Sequence, residues 1–324
     1  EVHGGPVYYI RTAFKGTLGK ILAGFFAIAI ILALGFFGCM VQSNSIGSTM
    51  ETAFGIPSWI AGIALVVIAG FIFLGGMDRL ASVTEKLVPV MATFYLLGGL
   101  IIFFANITKV PEAFGMIFRY AFEPQAIIGG AFGVAIKKAI SQGAKRGLFS
   151  NEAGMGSTPH AHAVAKVQYP AQQGLMGIVS VFIDTFVVLN MTALVIFVTG
   201  ALDGTTTGIA LTQKAFSTGL GAFGIKFVAI CLLFFAFSTI VGWYFFGEQN
   251  VKYLFGTRGV TPYRVVVMCF IVMGSLLQVN LVWELADMFN GLMAFPNLIA
   301  LIGLAKVVSK ALDEFEQANL ADNK

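Results

Sequence analysis

The sequence predicts an all-α integral membrane protein, on three observations. Hydrophobic residues make up 57% of the 324 positions and charged residues 11%, with a mean hydropathy of +0.86. One water-soluble core cannot hide that much apolar surface. Charge-free runs cover 21–50, 52–77, 87–108, 167–183, 227–247, 265–283 and 288–305, each close to the roughly 20 residues a helix needs to cross about 30 Å of hydrocarbon. The positive charges, finally, are shared unequally between alternate loops.

Backbone amides in lipid must pair within their own segment, so runs of this length are helices; barrel strands would be about ten alternating residues. The first helix covers 18–42 and ends in the polar stretch MVQSNSI. The second and third cover 56–78 and 86–107. The fourth, 126–147, is unusual: its uncharged part, PQAIIGGAFGVAI, is 13 residues long and holds three glycines. The fifth, 170–200, continues through Asp184. The outer connection, 201–224, contains GIALTQKAFSTGL, whose helical spacing predicts a short hairpin lying against the outer face. Helices over 224–254, 262–281 and 284–308 complete eight crossings in one domain, 1–324, with both ends on one side. The opening EVHGGPVYYI reads as a loop in mid-protein, so the chain is expected to be a fragment lacking earlier helices.

With eight crossings, sixteen of the 20 Lys and Arg residues face one side and four, Lys109, Arg119, Lys214 and Lys226, face the other. The positive-inside rule puts the richer side, and both chain ends, in the cytoplasm; the expected location is the cytoplasmic (inner) membrane. Removing the short fourth crossing would invert every later loop and destroy the asymmetry. The net charge of +4 is accounted for by this topology, which leaves no basic surface for nucleic acid. Cys39, Cys231 and Cys269 lie far apart in apolar runs without metal spacing, as packing residues do.

A short, glycine-interrupted crossing points to a transporter site, because unwound backbone at membrane depth is tolerable only where it lines a cavity or meets a ligand. Half-helix ends then offer partial charges to a zwitterion. GGAFGVAI is therefore a candidate substrate seat; equally, Gly129, Gly130 and Gly133 could serve close helix packing. Phe132, Gly133 and Ile136 would leave a small space, with Trp243 as a wall offering its ring to an ammonium group. Gln42 and Asn44 are candidate contacts for the substrate's carboxylate or amine; an aromatic belt and an ordinary polar helix end are the plainer readings.

For a cation, Ser238 and Thr239 supply two hydroxyls in mid-membrane, and the Phe235 carbonyl lies one turn earlier on the same face. Sodium is a hard cation that wants several oxygens. The alternative is that both hydroxyls bond back to their own helix, as membrane Ser and Thr usually do. Asp184 is the carboxylate deep in a crossing, where ionisable groups are functional by default; a coupling or structural role suits it better than substrate contact. The segment RGLFSNEAGMGSTPH looks like an active-site loop, but its His160 and His162, two apart, point about 200° from each other on a helix and chelate poorly. It reads as a hinge and inner-gate element in which Ser150, Asn151 and Glu152 cap helix ends and Gly154 and Gly156 permit turns. Glu248, Glu284 and Asp287 near the boundaries read as solvated or paired.

KRGLFSNEAGMGSTPHAHAVAK, with GVAIKKAISQGAKRG before it and VFIDTFVVLNMTALV after it, resembles the alanine/glycine:cation symporter family. GGPVYYI, MVQSNSI, EKLVPVMA, ALTQKAFS, FAFSTIVGWYFFGE and DMFNGLMAFPNLIAL resemble it too, in the right order and over nearly the whole chain. The resemblance implies a LeuT-type inverted-repeat fold, of which this chain supplies the last three helices of repeat one and all five of repeat two, the first broken helix being absent. It further implies sodium-coupled symport of small neutral amino acids by a monomer in lipid, without a cofactor, and makes Phe235, Ser238 and Thr239 half of a sodium site. Proton coupling or exchange on the same fold, and an intramembrane enzyme using Glu152, His160 and Asp184, are the alternatives.

Overall fold

The computed structural model describes residues 4–122, 132–277 and 279–322. The described residues form helices and connecting turns. In chain order these are α1 (Pro6–Ala13), α2 (Thr17–Ile30), a π turn (Ile31–Gly38), α3 (Cys39–Phe54), α4 (Ser58–Leu74), α5 (Gly76–Ala105), α6 (Val110–Phe122) and α7 (Phe132–Asn151). Then come α8 (Pro159–His162), α9 (Pro170–Phe182), a second π turn (Ile183–Leu189), α10 (Asn190–Val198), α11 (Gly208–Leu220), α12 (Ala222–Phe255), α13 (Val260–Leu276), α14 (Val279–Gly303) and α15 (Ala305–Asp322).

Among the described residues six helices are long and apolar enough to cross a membrane: Thr17–Phe54, Glu85–Ala105, Pro170–Val198, Ala222–Phe255, Thr257–Leu276 and Asn280–Gly303. Ser58–Leu74 is a shorter apolar helix. The expected crossings at 56–78, 86–107, 170–200, 224–254, 262–281 and 284–308 each overlap one of these helices. The glycine-rich start of the expected fourth crossing, with Gly129 and Gly130, lies outside the described residues.

The expected end of the first helix at 42 is corrected: the helix runs on to Phe54. Polar residues there are not a terminus, because the neighbouring helix satisfies them. Ser43 donates to the Ile271 carbonyl, and Asn44 Nδ2 donates to Gly274 O and Leu277 O, each at 2.8 Å. Thr49 bonds back to Ser45 O at 2.9 Å. The helix stops where Gly55 takes the left-handed conformation (φ 69°) that closes a helix end without a Cβ penalty. The outer connection forms one helix, α11, rather than a hairpin. It folds back on α12, and Gln213 reaches Thr49 O at 3.3 Å and Ile225 O at 3.4 Å.

The core centres on α12, which packs against α2 to α5, α11 and α13. Tyr244 of α12 is fully buried, stacked on Phe73 with centroids 3.7 Å apart and on Tyr263 at 5.5 Å. A second apolar cluster joins α5, α10 and α11 through Tyr95, Ile102, Val195 and Phe216. Glu248, buried in α12, is fully paired: it accepts from Tyr244 at 2.5 Å and lies 2.9 Å from Lys252 Nζ.

Candidate functional site

Where α7 ends, the chain makes an unusual turn. Glu152 (φ 54°), Gly154 (φ 78°) and Gly156 (φ 88°) all adopt left-handed conformations, and Glu152 is the non-glycine residue among the described ones that does so. Asn151 Oδ1 receives the Ala153 amide at 3.0 Å, closing a local turn in which a short side chain replaces a backbone acceptor. Asn297 of α14 donates to Gly154 O at 2.8 Å and itself receives the Tyr9 hydroxyl. A Cβ on Gly156 would lie 2.8 Å from Asn297 and 2.9 Å from Phe26, so only glycine lets the loop approach so closely.

His160 fastens the far end of this loop. Its Nδ1 lies 2.8 Å from Ser157 O, a pure acceptor, so Nδ1 carries the hydrogen; Nε2 accepts from Asn250 Nδ2 at 2.8 Å. The ring is buried between Phe26 and Phe246, and burial pulls its pKa down to about 4, holding it neutral. His162 instead meets Gln173 at 2.6 Å, and burial lowers its pKa too. The two histidines thus face different partners, as their spacing predicts.

Beside the loop lies a cavity of about 1340 Å³. Several elements wall it, α8 with His162 and α14 with Leu301 among them. The loop contributes Ser150 to Gly154, α12 contributes Thr239, Gly242, Trp243 and Phe246, α9 contributes Gln173 and Ser180, and the second π turn contributes Asp184. The Trp243 indole N–H donates to Glu152 Oε1, joining α12 to the loop across the wall. Ser150 donates to Asp184 Oδ2 at 2.8 Å, joining the loop to the π turn. A π turn leaves carbonyls out of register, and Asn190 Nδ2 answers two of them, Thr185 O at 3.0 Å and Phe186 O at 3.3 Å. Burial raises the Glu152 carboxyl above the ordinary carboxylate range; hydrogen bonding from Ser157 and Trp243 opposes that rise and the nearby Asp184 adds to it.

The approach of α7 is held by charge. Arg146 pairs with Asp287 of α14 and lies over the Trp283 ring at 4.2 Å, with Lys145 Nζ 3.7 Å from the same carboxylate. Asp287 is therefore paired, as its boundary position suggests.

Of the residues singled out in the sequence, the cavity brings together Thr239, Trp243 and Asp184. Gln42, Asn44, Phe235 and Ser238 are not among its lining residues. Asn44 spends both amide hydrogens on the Gly274 and Leu277 carbonyls and so is not free for a carboxylate. Ser238 and Thr239 each donate to Phe235 O at 2.9 Å, the back-bonded arrangement weighed above, with oxygen lone pairs left over. The side chains of Phe132 and Ile136, and what surrounds Gly133, lie outside the described residues. The residue the sequence reading undervalued is Glu152. Its signal was there in SNEAG: a carboxylate amid small, turn-forming residues after a basic helix, which reads as a cap until Trp243 is seen to meet it.

The sequence pattern of the sodium:alanine symporter family matches residues 1–324. The sodium/alanine symporter AgcS of Methanococcus maripaludis is 41% identical over 325 residues, covering 98% of this chain and 71% of that protein. The probable sodium/glutamine symporter GlnT of Bacillus subtilis is 38% identical over 320 residues, covering 98% of this chain and 66% of that protein. The putative sodium/proton-dependent alanine carrier protein YrbD of Bacillus subtilis is 38% identical over 335 residues, covering 98% and 68%.

Proposed function

Because the chain belongs to the sodium:alanine symporter family, we propose that this multi-pass membrane protein carries out sodium-coupled symport of small neutral amino acids, alanine and glycine, across the cytoplasmic membrane by alternating access. The observation that carries this reading is the convergence of the loop, Trp243, Thr239 and Asp184 on one cavity. A ligand there touches several separate elements at once, which is what a conformational cycle driven by binding requires. The relative from Methanococcus maripaludis, named a sodium/alanine symporter, supports the substrate and the ion.

In this reading Trp243 offers its ring to the substrate ammonium, and Phe132, Gly133 and Ile136 form the floor that limits side-chain size. Sodium is a co-substrate that uses the Phe235 carbonyl with the Ser238 and Thr239 oxygens, which keep lone pairs for a hard cation while donating to Phe235. Asp184 serves coupling through its bond to Ser150. A LeuT-type fold, cytoplasmic chain ends and a monomeric state belong to the same proposal.

Proton coupling is the second reading, favoured by the relative named a sodium/proton-dependent alanine carrier. The intramembrane-enzyme reading draws no support from the geometry, since both His160 nitrogens are taken by Ser157 and Asn250. Uptake of labelled alanine into vesicles decides between these. Sodium-coupled symport requires uptake that collapses when choline replaces sodium. Uptake that follows a pH gradient alone supports the second reading, and no uptake under either gradient refutes transport.

A further inference from the structure

We propose that Glu152 is a proton-exchange site: in this conformation its carboxyl is held as a neutral acid protonated on Oε2, and it trades that proton with the cavity during the transport cycle. The proposal rests on the cavity being the transport cavity, and assigns it a proton-binding residue.

The first observation is the unequal treatment of the two carboxyl oxygens. Oε1 accepts the Trp243 indole hydrogen, while Oε2 is buried with no hydrogen-bond partner among the described residues. An ionised carboxylate spreads its charge over both oxygens, and burying one of them bare is what proteins avoid. A carboxylic acid needs no such compensation, and its O–H can donate. Ser157 Oγ, five residues on and otherwise without a partner, lies within reach of the carboxyl and can accept that O–H; facing a carboxylate it donates instead, one neutral hydroxyl against a buried charge.

The second observation is electrostatic. The titratable residues lining the cavity are Glu152, His162 and Asp184. Asp184 is a second carboxylate, so it opposes charge on Glu152. His162 is engaged by Gln173, and His160, behind the loop, is held neutral by burial with its nitrogens engaged by Ser157 and Asn250. The faces that α12 and α9 turn to the cavity, Thr239, Gly242, Trp243, Phe246, Gln173 and Ser180, are uncharged. On α7, Arg146 and Lys145 are committed to Asp287. Among the described residues no positive partner is therefore supplied to Glu152, and a proton is the simplest cation that can neutralise it. A bare Oε2 with one hydroxyl nearby falls short of the several oxygens sodium needs.

The exchange is a balanced one: the carboxylate takes a proton from hydronium in the cavity to give the acid and water, and returns it by the reverse step. Trp243 can donate to Oε1 in either state, so protonation changes the charge of the wall before its shape. A cation entering the cavity favours the ionised form, so proton release and cation entry must assist each other by one common factor.

Infrared difference spectroscopy of the whole protein in lipid tests this directly. Stepping the pH should reveal the C=O band of a protonated carboxyl that shifts in D2O. The band should vanish in Glu152→Gln, survive in Asp184→Asn, and move in frequency without disappearing in Trp243→Phe, which removes the bond to Oε1. Trp243→Phe also keeps the test open should Glu152→Gln fail to fold. A band that persists in Glu152→Gln, is lost in Asp184→Asn, or is unmoved in Trp243→Phe overturns the proposal. Wild-type protein that keeps the band but shows no alanine uptake under a sodium or a pH gradient refutes the transport reading and leaves only the protonated Glu152 carboxyl standing.

Discussion

The spans Thr17–Phe54 and Pro170–Val198 each pass through a π turn, at Ile31–Gly38 and Ile183–Leu189, yet 56% of the most apolar stretch of the first is buried inside the molecule against 17% of the second. In the first, other helices fill the widened turn. A Cβ on Gly35 would lie 2.5 Å from the Tyr263 hydroxyl, and one on Gly38 would lie 2.6 Å from the Trp243 ring. In the second, the span answers its own carbonyls: Asn190 reaches back to Thr185 and Phe186, and large residues such as Phe182 and Phe186 are exposed. The same backbone device is thus a rigid backing for Trp243 on one side of the cavity and a self-contained mount for Asp184 on the other. The buried span sets the cavity's geometry; the exposed one has room to shift, as a π turn at a functional site often allows.

Substitutions that crowd or empty the two turns test this contrast. The largest effect is expected at Gly38→Val, where the ring and the surrounding core cannot yield; the cost should exceed about 3 kcal/mol, above the usual range for overpacking, and alanine uptake should be lost. Thermal unfolding of the purified protein measures it, and near-wild-type stability would show that the first turn is not rigid. Next comes acid sensitivity on the buried side, where His160 stacks on Phe26 of the first span. Its pKa of about 4 lies below the ordinary 6.5. Below pH 6.5 the unfolded chain therefore binds a proton that the folded one refuses. Stability should fall by on the order of 3 kcal/mol between pH 6.5 and 4, and His160→Gln should flatten that dependence.

Asn190→Ala is the matching test on the exposed side. It leaves π-turn carbonyls without their donor, at about 1 kcal/mol. Hydrogen exchange should quicken within 183–190 and stay unchanged at 31–38; equal change in both would mean that the turns are coupled and the contrast false. The smallest effect is expected at Gly174→Ala in α9, where an added Cβ meets nothing within 4 Å. Helix propensity alone should raise stability by up to about 1 kcal/mol, and a loss there would show that the outer span is packed after all.

Much of this was legible in the sequence, and what was missed has physical reasons. Apolar run length located the crossings because lipid penalises unpaired backbone anywhere along them. The helix end at 42 was misplaced because a polar triplet looks the same whether it terminates a helix or bonds the next one; Asn44 does the latter, through contacts more than 200 residues away in sequence. Thr239, Trp243 and Asp184, which line the cavity, stood out in the sequence because polar and indole groups within apolar runs are rare. Glu152 was read as a helix cap because its partner Trp243 lies 91 residues further on, and no local spacing announces that meeting. The π turns, too, leave no mark in a hydrophobic pattern.

The length of α12 has a consequence beyond packing. Its 34 residues extend about 51 Å, roughly 20 Å more than the hydrocarbon it crosses. The helix must tilt or project, and the angle it settles at depends on bilayer thickness. Because Trp243 rides on this helix, acyl-chain length becomes a setting for the cavity wall: membranes of different thickness should tune the same protein without touching a residue of its site.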